Sequence, residues 1–292
     1  MSGIVESYRD IMYNKNDPRT KDWFLATGPG PLIMIIVSYI YFSVSAGPRF
    51  MRDKKPYELK NVLIVYNFLQ ILMSIYMVKE GLLAGWLYDY SLTCQPVDRS
   101  MSPNAIRYAH GVYVYFICKL IELLDTVFFV LRKKNSQITF LHIYHHALMP
   151  ITAFVGVRWY PGGHATMLGF INCFVHIFMY AYYMLAAMGP QVQKYLWWKK
   201  YLTVLQIVQF VIILIHNAQI FLNDCEAYPK SIASLLLCNT TFFIFLFSSF
   251  YYHTYLKRDR RHENKKMAAQ AEDENTCRNK PTTNSDSRNK LD

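Results

Sequence analysis

Seven long apolar stretches constrain this chain more than any other feature of its sequence. A helix needs about 20 mainly apolar residues to cross the hydrocarbon core of a bilayer, and only 17% of the residues are charged, against about 25% in a typical soluble domain. We therefore predict an all-α polytopic membrane protein with seven transmembrane helices. The predicted spans are 30–46, 61–86, 111–131, 139–158, 165–188, 201–222 and 231–256.

Lysine and arginine concentrate in alternate linkers. The first, third and fifth linkers and the start of the tail are basic, whereas the others carry fewer basic residues, Arg158 being the one at the fourth linker. Because basic residues favour the cytosolic side, we predict a lumenal amino terminus and a cytosolic carboxyl terminus. The chain then divides into a lumenal segment, 1–27, a seven-span membrane domain, 28–256, and a basic cytosolic tail, 257–292, that is predicted to be disordered.

Two cysteines, Cys94 and Cys225, fall in lumenal linkers under this topology. An oxidising compartment favours a disulfide between them, which would tie the second linker to the sixth. Two free thiols are the alternative.

The third span carries Lys119, Glu122, Asp125 and Thr126. Charged side chains inside a membrane are costly and tend to be functional, and this spacing keeps all four within one stripe of a helix. An ion pair that merely pins two helices is the structural alternative for any one of them.

A histidine cluster, HxxHH, follows in the fourth span. His142, His145 and His146 share one face and one turn of that helix, and the next two spans add polar groups at a similar depth, which are Asn172, His176, Tyr180, Gln206 and Gln209. Together these residues predict a polar chamber that opens to the cytosol, with apolar span surfaces beyond it.

The mouth of this chamber is rimmed by basic residues, and an apolar tunnel is predicted behind it. A polyanionic head group with a long hydrocarbon tail, such as acyl-CoA, would fit both parts. The predicted CoA-binding residues are Arg132, Lys133, Lys134, Lys194, Lys199 and Lys200.

Four motifs identify a family resemblance. They are KLIELLDTVFFVLRKK at 119–134, FLHIYHHALMP at 140–150, INCFVHIFMYAYY at 171–183 and YLTVLQIVQF at 201–210. In these segments the chain resembles the very-long-chain fatty acid elongases, the condensing enzymes of the endoplasmic reticulum elongation cycle. The resemblance implies a multi-pass protein of the reticulum membrane that makes a 3-ketoacyl-CoA from acyl-CoA and malonyl-CoA, releasing CO2 and CoA.

The same resemblance implies further properties. No bound cofactor or metal and no nucleic acid is expected, and the expected partners are the bilayer, the two CoA thioesters, other elongation-cycle enzymes and a second copy of the chain. Ile143 and Tyr144 resemble the branch that acts on long to very long or polyunsaturated chains. GGH at 162–164 also resembles a segment of the family, but for His164 we expect a packing or loop role, and Arg288 and Lys290 resemble a basic retrieval signal.

We predict that His145 attacks the thioester and carries the acyl group, because imidazole can serve as an acyl carrier. His142 and His146 would act as general base or orienting partners, and His176 with Asn172 would steady the malonyl carbonyl. The residues predicted to support them are Lys119, Glu122, Asp125, Thr126, Tyr180, Gln206 and Gln209.

Two other classes of function compete with this interpretation. HxxHH also occurs in membrane desaturases and hydroxylases that bind two irons, and the four histidines of the chamber could instead hold one zinc ion. A seven-span transporter could use the same groups as a proton relay.

Overall fold

A computed structural model describes residues 9–223 and 225–257, together with Gly3, Glu6 and Met267. Most of the predicted tail, including Arg288 and Lys290, lies outside these residues. The described part of the chain contains helices, turns and loops but no strand, which confirms the all-α prediction.

We label eight helices within the described residues. A short π-helical segment, Asp10–Asn14, precedes them, and a single helical turn, Pro190–Gln193, lies between the sixth and the seventh. The helices are α1, Pro29–Met51; α2, Lys60–Trp86; α3, Pro103–Ile121; α4, Leu124–Leu131; α5, Phe140–Trp159; α6, Thr166–Ala187; α7, Lys199–Leu222; and α8, Lys230–Leu256.

Six of these helices are long and apolar enough to cross a membrane, and they are α1, α2, α5, α6, α7 and α8. Much of their surface faces outward although it is apolar: Val37, Val65 and Ile215 are between 57% and 60% exposed. Large exposed apolar surfaces mark contact with lipid or protein. The chain is therefore a multi-pass membrane protein, while the count of seven spans stays a prediction.

The predicted third span differs from what the structure contains. In place of one helix over 111–131, α3 begins at Pro103 and α4 ends at Leu131, with a break between Ile121 and Leu124. The early start follows from Ser102, whose side-chain oxygen accepts a hydrogen bond from the Ala105 amide as a helix N-cap.

The first seven helices and most of α8 enclose the core of the protein. α2 packs along α6, α3 along α5, and α7 against α6. Phe210 of α7 stacks on Phe243 of α8 with ring centroids 5.3 Å apart, within the range favoured by aromatic pairs. We call the end of the bundle that holds linkers 52–59, 132–139 and 188–198 the basic end.

The opposite end is the disulfide end. Cys94 in the α2–α3 linker is bonded to Cys225 in the α7–α8 linker, with Cα atoms 5.6 Å apart. The predicted pair is therefore joined in the structure, and the bridge lies beside an apolar cluster that includes Ile220 and Tyr228.

The segment that precedes α1 is anchored at the disulfide end. Asp17 is buried and paired with Arg19 at 2.8 Å and with Arg99 at 3.3 Å. Burial alone would raise the pKa of Asp17, but the hydrogen bonds from Arg19 and the charges of both arginines outweigh it and hold that pKa below its ordinary value.

Arg158 has a different role from the one that its place in the sequence indicates. Its sequence position predicts a basic residue of the fourth linker, yet it lies at the end of α5 with 1% exposure. Its guanidinium donates hydrogen bonds to the Ala26 carbonyl, at 2.6 Å, and to the Met12 carbonyl. The buried backbone oxygens of the amino-terminal segment hold this charge inside the protein.

The polypeptide divides into two units. The first, Met1–Phe247, contains α1 to α7 and most of α8, and it contains every residue of the candidate site. The second, Ser248–Asp292, begins with the end of α8, and most of it lies outside the described residues.

Candidate active site

A buried ion pair forms the charged centre of the candidate site. Lys119 of α3 is 1% exposed, and its ammonium donates hydrogen bonds of 2.8 and 2.9 Å to the two carboxylate oxygens of Glu122. It donates a third, of 2.8 Å, to Oδ1 of Asn172 on α6. The Lys119–Glu122 pair therefore links α3 to α6, as an ion pair with a purely structural role would. It also fixes the orientation of the Asn172 amide.

His176 is held on both ring nitrogens. Its Nδ1 lies 3.3 Å from Oε1 of Glu122, and its Nε2 lies 3.3 Å from Nδ2 of Asn172. A proton on Nδ1 satisfies both contacts, because the carboxylate can only accept and the amide nitrogen can only donate. Glu122 and Asn172 together favour this tautomer of His176 and hold the plane of its ring.

Asp125 and Thr126 of α4 connect two further helices to the site. The Tyr180 hydroxyl of α6 donates a 3.1 Å hydrogen bond to Oδ2 of Asp125. The Thr126 hydroxyl lies 2.8 Å from the Tyr39 hydroxyl of α1 and 2.8 Å from Nε2 of His142 on α5. The polar stripe of the predicted third span thus contacts α1, α5 and α6.

The three histidines of the HxxHH cluster lie side by side on the first turns of α5, and Thr139 is the N-cap of that helix. The rings of His142 and His146 have centroids 4.2 Å apart, and those of His145 and His146 lie 5.3 Å apart. Within the described part of the chain, the ring nitrogens of His145 have no hydrogen-bond partner, in contrast to both nitrogens of His176. His145 thus offers an unengaged lone pair.

His145 faces a small, mainly apolar cavity of about 20 Å³. Asn172 and Gln209 line the same cavity, and Phe243 packs edge-on against the His145 ring with centroids 5.3 Å apart. Gln209 is buried, and its Oε1 has no hydrogen-bond partner among the described residues. A buried unpaired amide oxygen is uncommon and calls for a partner that binds there.

Gln206 takes a different position from Gln209. It is partly exposed, and its amide donates to the sulfur of Met179 on α6 over 3.6 Å. The structure therefore brings the predicted site residues between Lys119 and Tyr180 together with Gln209 of α7. Gln206 stays outside this group and contacts α6 nearer the basic end.

The six predicted CoA-binding residues all lie at the basic end. Lys133 donates a 3.0 Å hydrogen bond to the Arg52 carbonyl and has a positive φ of 53°, so it closes the α4 end against the first linker. The other five are exposed or partly exposed, and they are Arg132, Lys134, Lys194, Lys199 and Lys200.

His164 and His216 form a second histidine pair, away from the site and near the disulfide. Their rings stack with centroids 3.7 Å apart, and each ring contacts the other residue's carbonyl, at 2.9 and 3.2 Å. Both are buried. This agrees with the packing role predicted for His164.

Two tyrosines of the site were not identified from the sequence. Tyr39 supports Thr126, and Tyr115 donates a 3.1 Å hydrogen bond to Oδ1 of Asn172. The chain contains 23 tyrosines, so residue type alone could not single these two out. Helical spacing offered one signal for Tyr115, which is four residues before Lys119 and therefore on the same face.

Metal binding was the main alternative for the histidines. Among the described residues, no group of three or more His, Cys, Asp and Glu side chains is arranged to hold a metal ion. The His142 nitrogen that faces Thr126 is engaged in a hydrogen bond, and both nitrogens of His176 are occupied.

This arrangement suits acyl transfer. A neutral imidazole with a free lone pair can attack a thioester, and buried amide donors can stabilise the negative charge that develops on a carbonyl oxygen. The lining of the adjoining cavity is mainly apolar, which is the chemistry that a hydrocarbon chain requires.

Comparisons with known proteins agree with this chemistry. Residues 24–263 match the family described as ELO: GNS1/SUR4 family. The chain is 51% identical over 257 residues to very long chain fatty acid elongase 7 of Drosophila melanogaster, an alignment that covers 88% of this chain and 78% of that protein.

Vertebrate proteins give similar matches. The chain is 47% identical over 245 residues to very long chain fatty acid elongase 7 of Rattus norvegicus, covering 84% of this chain and 87% of that one. It is 43% identical over 262 residues to very long chain fatty acid elongase 1 of Homo sapiens, covering 89% and 93%. These matches give no support to the desaturase, hydroxylase or transporter alternatives.

Proposed function

The chain belongs to the ELO family, and on that premise we propose that it is the 3-oxoacyl-CoA synthase of fatty acid elongation. It joins a long or very-long-chain acyl-CoA to malonyl-CoA and lengthens the acyl chain by two carbons. The observation that carries the proposal is His145, whose unengaged ring faces an apolar cavity lined by Asn172 and Gln209.

In the first step, the lone pair of His145 attacks the acyl thioester. The bond from the carbonyl carbon to sulfur breaks, the CoA thiolate leaves, and the proton on the other ring nitrogen passes to a neighbouring base. His146, which packs edge-on against His145, is the nearest candidate for that base. The free nitrogens of His145 support this assignment, since a nitrogen already held in a hydrogen bond is a poorer nucleophile.

In the second step, malonyl-CoA loses CO2 and its α-carbon attacks the acyl-imidazole. The carbon–nitrogen bond breaks, 3-ketoacyl-CoA forms, and the base returns its proton to the departing imidazole, which regenerates His145. The second N–H of the Asn172 amide stabilises the enolate oxygen that arises on decarboxylation, and His176, whose two ring nitrogens are engaged, orients that amide. The contacts of Lys119 and Glu122 support this role, because they hold both side chains in one orientation before substrate binds.

The substrate lies with its ends at different depths of the bundle. The acyl chain occupies the cavity beside His145, and the CoA phosphates bind the basic residues at the basic end. That end faces the cytosol, the disulfide end faces the lumen of the endoplasmic reticulum, and no bound cofactor takes part. Assembly with a second copy or with other enzymes of the cycle stays a prediction.

Radiolabelled malonyl-CoA supplied with a panel of acyl-CoAs to membranes that contain the chain tests this proposal. We expect label in products two carbons longer, and a loss of at least about 100-fold in His145→Ala. His253→Ala, which changes an exposed histidine outside the site, should keep its activity.

Mass spectrometry of protein incubated with acyl-CoA alone tests the covalent step. We expect an acyl adduct on His145 that persists in His146→Ala and is absent from His145→Ala. An adduct on another histidine would reassign the nucleophile. In the radiolabelling experiment, a lack of malonyl label in the products from every acyl-CoA would overturn the proposed activity.

A further inference from the structure

A groove opens on the outside of the bundle, between α2, α3 and the segment that precedes α1. Its volume is about 320 Å³, within the range of about 300–1,000 Å³ that is typical of ligand clefts. None of the described residues that line it belongs to the candidate active site. We call it the interfacial groove, and its wall includes Trp23, Tyr76, Glu80, Ile106, Arg107 and His110.

The interfacial groove lies at the depth where the core of a bilayer ends. Glu80 comes 20 residues after Lys60, the first residue of α2, and a helix of about 20 residues rises about 30 Å, which is the thickness of the hydrocarbon core. The surface of α2 is apolar and exposed at Leu72 and Ile75, and one turn after Ile75 it carries the exposed Lys79. Lipid head groups therefore lie beside the groove.

The groove contains more hydrogen-bond donors than the protein itself uses. Arg107 donates to Glu80 through Nε alone, over 2.6 Å, and its two terminal nitrogens have no hydrogen-bond partner in the described part of the chain. The indole N–H of Trp23 and the hydroxyl of Tyr76 are also without a hydrogen-bond partner among these residues. A phosphate offers acceptors to all of these groups, and a guanidinium binds it through two parallel hydrogen bonds.

The charges in the wall of the groove cancel. Arg107 contributes one positive charge and Glu80 one negative charge, and the two side chains are 37% and 13% exposed. A ligand with a net charge would therefore gain less here than a ligand whose own charges cancel. A carboxylate and the rings of Trp23 and Tyr76 are also the groups that attract an alkylammonium.

We propose that the interfacial groove binds the head group of a zwitterionic phospholipid from the leaflet at the disulfide end. The phosphate binds Arg107 and Trp23, the ammonium binds Glu80, and the first methylene groups of the lipid pack on Ile106. The bound lipid joins α2, α3 and the amino-terminal segment. The inference is independent of the proposed condensation, since the groove shares no residue with the candidate active site.

Thermal unfolding of the full chain tests the proposal, after removal of bound lipid in a maltoside detergent. Dioleoyl phosphatidylcholine and phosphatidylethanolamine should each raise the melting temperature to a plateau, and dioleoyl phosphatidylglycerol, which has a net negative charge, should need a concentration at least about 10-fold higher to reach it. The comparison of the first two lipids shows which ammonium group the groove prefers.

Two variants change the head-group preference in different ways. Arg107→Lys keeps the charge but loses the planar donor pair, so the concentration of phosphatidylcholine at half-plateau should rise by about 10-fold. Glu80→Gln leaves Arg107 without its counter-charge, so this variant should prefer phosphatidylglycerol to phosphatidylcholine. Lys79→Gln is the control on the same helix and should keep the wild-type order, because Lys79 does not line the groove.

Fluorescence quenching tests the location of the lipid. The chain contains five tryptophans, and phosphatidylcholine brominated on the upper part of its acyl chains quenches an indole that it contacts. Part of the quenching in the wild type should be missing from Trp23→Phe. Trp159→Phe is the control, because the Trp159 indole N–H already donates to the Ile11 carbonyl and Trp159 does not line the groove.

Equal responses to all three lipids in the wild type and in both variants would overturn the site, because they would show lipid contact without recognition. A wild type that prefers phosphatidylglycerol would overturn the zwitterionic ligand. Quenching that is unchanged in Trp23→Phe would place the lipid elsewhere. A protein that shows the expected lipid order but incorporates no malonyl label would keep the groove and overturn the condensation.

Discussion

The hydroxyl of Thr126 lies 2.8 Å from Nε2 of His142, and this hydrogen bond links the first histidine of the HxxHH cluster to α4. Tyr39 continues the contact to α1, because its hydroxyl lies 2.8 Å from the same oxygen. A chain of hydrogen bonds across three helices therefore holds the His142 ring in one orientation.

Thr126→Val should weaken both stability and turnover. Valine keeps the shape of threonine but leaves the Tyr39 hydroxyl and the His142 nitrogen without a partner, and an unsatisfied buried group costs about 1–3 kcal/mol. We expect a lower melting temperature in detergent and a lower kcat with little change in KM. Thr241→Val is the control, since this exposed hydroxyl bonds only to its own helix. Equal effects of the two changes would show that the contact has no special role.

Lys119→Met should destabilise the protein by about 3–5 kcal/mol, because it leaves the Glu122 carboxylate buried without its cation. The double variant Lys119→Met, Glu122→Gln should recover part of the melting temperature but not the activity, since Asn172 and His176 lose their charged support. Lys79→Met, at a lysine whose side chain is 62% exposed, should change stability little. A double variant no more stable than Lys119→Met would contradict the pairing.

Replacing Cys94 and Cys225 together by alanine should cost about 2–5 kcal/mol of stability. The bridge spans 131 residues of sequence, and a long loop closed by a disulfide restricts the unfolded chain strongly. Thermal unfolding in detergent measures the loss. Cys238→Ala, at an exposed free cysteine, should leave the melting temperature unchanged, and an equal loss there would remove the bridge as the cause.

The stability of the protein should fall below about pH 6.5, in part through His164. Burial lowers the pKa of His164, and the hydrogen bond to the His216 carbonyl, which acts in the opposite direction, offsets only part of that effect. The stabilisation is complete above the unfolded-state pKa of about 6.5 and is lost as pH falls through and below that value.

Melting temperatures measured between about pH 7.5 and 5.5 test this dependence on His164. His164→Asn has no titrating group at that position, so its melting temperature should fall less steeply with pH than that of the wild type. Parallel curves would place the titration at other histidines.

Helical periodicity made much of this architecture predictable. The apolar runs located six long helices to within five residues at each end, and the steps of three and four residues placed Lys119 beside Glu122 and His142 beside His146. Such neighbours lie on the same helical face, so their proximity is a property of local sequence.

Contacts between helices were not predictable in the same way. Thr126 meets Tyr39 across 87 residues of sequence, and nothing near Tyr39 indicates which of the other helices it faces. The break after Ile121 was missed because the residues on both sides of it are good helix formers. Arg158 was misassigned because its position at the end of a span resembles that of a solvated linker residue.

Arg158 also has a consequence for how the polypeptide matures. Its hydrogen-bond partners Met12 and Ala26 leave the ribosome 146 and 132 residues before it does, so these two contacts wait until more than half of the protein has been made. Contacts so distant in sequence form late, because the chain between them must first be ordered. Completion of α5 is therefore required before the Met12 and Ala26 carbonyls can bind their guanidinium, whereas Arg99, the partner of Asp17, is made earlier.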